Sequence, residues 1–367
     1  MISGFATPEG TKNFTEKHDF VPDKNFKIFQ ELSMSNIGIG TYLGNPDSET
    51  DLAVKEAVKK SIMSGVNVID TAINYRAQKA ERSVGKAISD LVEDNKISRD
   101  EVFVSTKNGY VTNDGDIQED LMQYVMRELG KPGIVKEGDI SSGYHCMTTP
   151  YLEDQLNRSL KNLDLECIDL MYLHNAVEGH PELPKEEFLT KLTSVIEFYE
   201  EKRKEGKIRF YGMATWECFR TDESNNMFLS LEKVITIAKK IGGENHGFRF
   251  IQLPYNFHFD QAYIKKNQTY EQEQVSILEC AQKLGVGVFT SVPLMQGRLL
   301  DWVKNSQAFS NFTPSVGALQ FVRSTPGVLA PLIGQKSAAH VSENLEAMKI
   351  PPFSENEFHN TVKKLVS

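Results

Sequence analysis

Cysteine is scarce in this chain, with four among 367 residues: Cys146, Cys167, Cys218 and Cys280. They lie far apart with no C-x-x-C pair, which argues against a zinc framework or a dense disulfide scaffold and predicts four reduced thiols. Long apolar runs are missing too; none reaches the roughly 18 residues that a membrane span requires. The opening segment, MISGFATPEGTKNFTEKHDF, lacks the apolar stretch of a secretory signal, so the expected compartment is the cytoplasm. Basic charge is outweighed, with 41 Lys and Arg against 50 Asp and Glu, a net charge of −9 and a pI of about 5.5. Such a balance lacks the basic face of a nucleic-acid-binding protein and mainly aids solubility. An anionic ligand could still be held by local lysines and arginines. Nucleotide fingerprints are absent as well. GIGTYLG spaces Gly38, Gly40 and Gly44 as G-x-G-x-x-x-G, which fails the Rossmann spacing, and there is no P-loop. Those glycines read instead as close packing and a tight turn at a strand end.

What is present is a rhythm. Hydrophobic residues make up 40% of the chain, enough for a sizeable core. Eight short apolar runs recur: NIGIGT (Asn36–Thr41), VNVIDT (Val66–Thr71), VFVSTK (Val102–Lys107), IDLMYLH (Ile168–His174), RFYGMAT (Arg209–Thr215), FRFIQLP (Phe248–Pro254), VGVFTS (Val286–Ser291) and VLAPLIG (Val328–Gly334). Runs of this kind suit strands buried on both faces. Between them lie amphipathic stretches. SETDLAVKEAVKKSIMSG opens on a capping-box pattern from Ser48 to Asp51 and closes at Gly65. TPYLEDQLNRSLKNLDL carries Leu152, Leu156, Leu160 and Leu163 at helical spacing, and EEFLTKLTSVIEFYEEKRKEGKI stops at Gly206. YEQEQVSILECAQKLG, SVGALQFVRSTPG and SAAHVSENLEAMK complete the helical set.

Eight strand–helix repeats predict an α/β fold, a closed parallel (β/α)8 TIM barrel. Residues 1–25 read as a polar N-terminal extension and 26–367 as a single barrel domain. Phe26–Gln30 is expected to start a small hairpin closing one barrel end. Residues 110–149 form a long insertion after strand three, with a helix expected over Asp116–Leu129 and a loop over GKPGIVKEGDISSGYH.

In such a barrel the C-terminal strand ends converge on the face that carries active sites. Asp70 ends strand two, Tyr75 lies in the next loop, Lys107 ends strand three and His174 ends strand four. A tyrosine is a poor acid near neutral pH unless a cation stabilises its phenolate. Lys107 would provide that cation, and Asp70 would keep Lys107 charged in a partly dry pocket. His174 would donate a hydrogen bond to a substrate carbonyl. Together the four form a proton-donating, oxyanion-stabilising set, without a nucleophile or a metal set. A metal-dependent barrel hydrolase built on Asp70 and His174 would need more inward ligands than the sequence supplies.

The motifs that carry these residues resemble those of the aldo-keto reductase family. DTAINY is similar to its D-x-A-x-x-Y signature, and STK and LH look like its lysine and histidine. GKIRFYGMAT and SAAHVSENL resemble its later motifs, so the likeness runs from about Ile37 to Met348. The resemblance implies an NADP-dependent oxidoreductase that reduces a small aldehyde or ketone, with Asp70, Tyr75, Lys107 and His174 as catalytic tetrad and Tyr75 as proton donor. It implies NADPH as cofactor, Gln252 at the nicotinamide carboxamide, and Leu294, Gln296 and Arg298 along the pyrophosphate. Gly334, Gln335, Lys336, Ser337, Glu343 and Asn344 would surround the adenosine end, with Lys336 and His340 as candidates to neutralise a 2′-phosphate.

Departures are also present. Ala214–Thr215 stands where the family often has Ser-Asn, leaving Thr215 as the contact, and Ser291 stands where many members have a stacking tyrosine. Arg76 reads either as a clamp for a substrate carboxylate or phosphate or as a salt bridge on the helix entrance. Tyr144 and His145 of the insertion could reach the pocket, and Trp216 could wall it. These changes keep open a second function, a nicotinamide-binding regulatory or sensor protein with vestigial activity.

Overall fold

The computed structural model describes residues 1–366. All eight apolar runs form strands. We label them β1 (Gly38–Gly40), β2 (Val68–Asp70), β3 (Phe103–Asn108), β4 (Ile168–His174), β5 (Ile208–Ala214), β6 (Phe248–Pro254), β7 (Gly287–Ser291) and β8 (Val328–Gly334). They pair in parallel and in sequence order, and β8 returns to β1 to close the barrel. A helix lies in each interval between them, giving the (β/α)8 architecture.

The two-residue period of a strand decides what each side chain meets. On β3, Phe103 faces the barrel interior and Val104 the helix layer; on β4, Leu170 and Tyr172 face in, and Met171 and Leu173 face out. Counting on by two puts Lys107 and His174 on the inward face at the C-terminal mouth. The opposite end is filled by apolar side chains, among them Val68, Phe103, Phe250 and Phe289, the last two stacked with centroids 5.7 Å apart. The expected hairpin is present: Phe26–Phe29 pairs antiparallel with Leu32–Ser35, and Leu32 and Met34 plug this end of the barrel.

Four local expectations need correction. The N-terminal segment contains a helix, Pro8–Lys17, capped by Thr7, and its Phe14 is fully buried in the main core. The Ala6 N–H donates to Asp169 (2.7 Å), whose other oxygen pairs with Arg99 (2.7 Å), both side chains being buried. The few apolar residues here are too irregularly spaced to announce a helix. The helix Ser48–Met63 is capped by Asp47, not Ser48, through the N–H of Thr50. YEQEQVSILECAQKLG is half strand: Lys266–Tyr270 and Glu273–Ser276 form a hairpin, and the helix covers only Ile277–Lys283. In the insertion, the helix Leu121–Val125 starts at the Asp120 cap and widens into a π turn over Met126–Gly130. No helix among the described residues is long and apolar enough to cross a membrane, and all four cysteines are free and buried.

Candidate active site

The barrel mouth brings the four charged and polar strand-end residues together. Lys107 is fully buried, and its Nζ donates to Asp70 Oδ2 (2.5 Å) and to the Thr71 carbonyl (2.7 Å). The other Asp70 oxygen accepts from Ser105 Oγ (2.8 Å) and Gln252 Nε2 (2.9 Å). Both carboxylate oxygens therefore have donors, as a buried ion pair requires. The Lys107 ammonium lies over the Tyr75 ring, 4.7 Å from its centroid. His174 meets Tyr75 edge-on at 5.9 Å and Tyr110 at 5.1 Å.

Burial works to lower the Lys107 pKa, but Asp70 and Tyr75 outweigh it and hold the ammonium above its ordinary value. The outcome at Tyr75 differs from the sequence expectation of an acidified phenol. Burial raises its pKa above 10.0, and the opposing pull of Lys107 only partly offsets this. His174 is driven well below its usual value, first by burial and then by the charge of Lys107, so its imidazole is neutral. Its Nδ1 is buried without a partner among the described residues.

Asp70, Tyr75 and His174 line a cavity of about 710 Å³ that extends across the mouth to β8. Thr215 after β5, Gln252 on β6 and Ser291 on β7 line its middle, with Leu294 and Gln296 beyond. Gly334, Gln335, Lys336, His340, Glu343 and Asn344 line the far end. Arg298 and Ser337 do not. Arg298 is exposed on the loop after β7, and Ser337 is spent as the cap of Ala338–Leu345, accepting from the His340 N–H. Gln335 and Asn344 are buried and bonded to each other (2.8 Å), and Glu343 accepts from Ser315 (2.8 Å). Thr215 Oγ1 is buried without a hydrogen-bond partner among the described residues.

Arg76 takes its salt-bridge reading. It is buried on Asp51 (2.9 Å) and Ser83 (2.8 Å), outside the cavity lining. Trp216 does wall the cavity, whereas Tyr144 is exposed and His145 lies behind His174, its Nε2 on the His174 carbonyl (2.8 Å). Burial, and then neighbouring His180, lower the His145 pKa to about 3.

Sequence reasoning missed Tyr42, Asn74, Tyr110, Asn175 and Leu300, all on the cavity wall. Tyr42, Tyr110 and Asn175 lie within two residues of a strand's C-terminal end and Asn74 precedes Tyr75, a positional signal available once the barrel was inferred. Leu300 had no local signal. Glu178 was missed too. Its Oε1 accepts the backbone N–H groups of Trp216 (2.8 Å), Glu217 (2.6 Å) and Cys218 (3.3 Å), tying the loop after β4 to the loop after β5. No group of three or more His, Cys, Asp or Glu side chains among the described residues could hold a metal ion.

A model of the Aldo/keto reductase family matches residues 36–317. The chain belongs to the aldo-keto reductase family. Aldo-keto reductases are oxidoreductases, usually NAD(P)H-dependent. A putative aryl-alcohol dehydrogenase of Schizosaccharomyces pombe is 25% identical over 263 residues, 68% of this chain and 59% of that protein. The chain thus spans about three fifths of the length of that relative. A putative voltage-gated potassium channel subunit beta from the same yeast is 21% identical over 345 residues, 87% of this chain and 86% of that protein. Among solved structures, an aldo/keto reductase from Klebsiella pneumoniae in complex with NADP and acetate superposes with a TM-score of 0.61 at 22% identity, over 93% of this chain and 95% of that one. That likeness concerns the fold.

Proposed function

We propose that this aldo-keto reductase is an NADP-dependent carbonyl reductase acting on a small aldehyde or ketone, with Tyr75 as proton donor. The observation that carries the reading is the Asp70–Lys107 ion pair set against Tyr75 and His174 on the floor of one open cavity. The residues beyond that floor fit a nicotinamide dinucleotide. Thr215 Oγ1 has a free hydrogen-bonding position, Gly334 adds no side-chain bulk at the end of β8, and exposed Lys336 can neutralise a phosphate. Gln252 has one amide N–H on Asp70, which leaves its carbonyl oxygen and second N–H for the carboxamide. When bound, the reduced cofactor supplies the hydride.

The chain's own residues do the rest. Neutral His174 donates a hydrogen bond to the carbonyl oxygen and orients it, an arrangement that works without a positive imidazole. As negative charge develops on that oxygen, Tyr75 passes it the phenolic proton. An alkoxide is a far stronger base than a phenolate, so the transfer is favourable even from a phenol whose pKa burial has raised. Lys107 then stabilises the phenolate, and Asp70 keeps Lys107 in place and charged.

Carbonyl-dependent oxidation of NADPH over a panel of aldehydes and ketones tests the reading. Tyr75→Phe is expected to cut turnover by a factor on the order of 10² to 10⁴ while leaving NADPH affinity unchanged. Tight NADPH binding with no turnover of any carbonyl would favour a cofactor sensor instead. Full activity in Tyr75→Phe would remove the donor assignment.

A further inference from the structure

Tyr75 is followed by three successive residues with left-handed backbone, Arg76, Ala77 and Gln78, at φ of +50°, +51° and +73°. None is glycine. In this region the Cβ of an L-residue crowds the following carbonyl oxygen, and such residues persist only where their surroundings over-determine them. Here each of the three is anchored. Arg76 is held by Asp51 (2.9 Å) and Ser83 (2.8 Å). The Ala77 carbonyl accepts from the N–H of Gly115 (2.9 Å). A Cβ on Gly115 would lie 2.7 Å from the Lys79 side chain and 3.2 Å from the Ala77 carbonyl, so glycine lets this turn of the insertion approach without displacing Lys79. Gln78 is buried with both ends of its amide engaged: Nε2 donates to the Asn113 carbonyl (3.1 Å) and Tyr124 Oη (3.2 Å), and Oε1 accepts from Asn162 Nδ2 (3.2 Å).

The turn is also bonded back onto the residues flanking the phenol. The Gln78 N–H donates to the Ile73 carbonyl (2.9 Å), and the Ala80 N–H donates to the Tyr75 carbonyl (3.4 Å). A shift of Gln78 is therefore transmitted to Tyr75 through the main chain.

We propose that the Arg76–Gln78 turn is a sprung spacer, that the 110–149 insertion holds it closed through Asn113, Gly115 and Tyr124, and that Gln78 is a positioning residue for the Tyr75 phenol. The role in catalysis rests on the reading of Tyr75 as proton donor. It gives the insertion a function beyond the single residue, Tyr110, that it adds to the pocket lining, to which neither Tyr144 nor His145 contributes. The strain favours relaxation of the turn, and the anchors oppose it, so losing one anchor moves the phenol away from Lys107 and His174.

The test uses the full chain with 3-fluorotyrosine in place of Tyr75. Gln78→Ala is expected to move or broaden the ¹⁹F resonance. In the unlabelled protein it is expected to lower kcat for carbonyl reduction by about ten- to hundred-fold, with KM and NADPH affinity unchanged. Tyr124→Phe deletes one hydroxyl and keeps the ring, so it is expected to act in the same direction more weakly, and it stands in if Gln78→Ala does not fold. A ¹⁹F resonance unmoved in the folded variants overturns the proposal whatever turnover does. A moved resonance with undiminished kcat overturns the positioning role. Full turnover in Tyr75→Phe removes the donor reading alone, because the fluorine signal still reports on the turn.

Discussion

Two influences act on the Tyr75 phenol in opposite directions. Burial disfavours the phenolate, and the ammonium of Lys107 favours it; burial prevails, and the proton stays on oxygen through neutral pH. The lysine's contribution is thus felt after the proton has left, when it stabilises the anion. Its own charge depends on Asp70, 2.5 Å away and equally enclosed. Lys107→Met removes the cation and leaves a buried carboxylate with only neutral donors. Loss of one partner from such a pair costs about 3–5 kcal/mol. Urea unfolding is expected to register a loss of that order, and turnover is expected to fall together with it. A variant with wild-type stability would mean that the Asp70 carboxylate is solvated or protonated. The four residue types and their strand-end positions were legible in the sequence. The net direction at Tyr75 was not, because burial depends on Tyr42, His174 and the surrounding loops, which are brought together only by the fold.

Elements were legible where apolar periodicity was strong and illegible where local capping decided the outcome. The segment from Tyr270 to Gly285 illustrates this. Its alternation of polar residues with Val275 and Ile277 suits either state, and the decision falls to Ser276. The Ser276 hydroxyl accepts from the Glu279 N–H (3.2 Å), and the Glu279 carboxylate accepts from the Ser276 N–H (2.8 Å). This capping box ends the hairpin and starts the helix at Ile277. Ser276 is buried, so water cannot replace the lost contact. Ser276→Ala is expected to destabilise the protein by about 1 kcal/mol, within the range of roughly 0.5–2 for caps of this kind, as a lower urea midpoint at unchanged m-value. An unchanged midpoint would mean that the hairpin alone positions the helix.

The molecule as a whole carries several histidines held neutral by burial. His145 is lowered to about 3 and His246 to about 4, with burial the largest cause in both; His174 and His180 are lowered as well. In the unfolded chain these groups take up protons near their ordinary value of about 6.5, while in the folded chain they resist. The unfolded state therefore binds more protons below that pH, and stability falls as the pH falls. The contribution is fully present above about 6.5 and is lost progressively towards pH 3–4. Unfolding midpoints measured at pH 7, 6 and 5 are expected to decrease in that order. A flat series would mean that these rings are hydrated or already charged in the native state.

Period-two burial, helical spacing and the polar residue closing each apolar run are local properties, so the barrel, its strand order and the four residues at its mouth could be read from the chain alone. Other features depended on partners far away in sequence. The N-terminal segment is anchored because Asp169, held by Arg99, accepts the Ala6 N–H. Arg76 becomes a buried strut because Asp51 lies beside it. The insertion lends the cavity wall Tyr110 and also braces the turn after Tyr75, because Gln78 and Ala77 offer hydrogen-bonding groups that it satisfies. Spacing along a chain records which face a side chain takes, but the energy of a buried charge or a strained turn is set by what packs around it, and only the folded molecule supplies those neighbours.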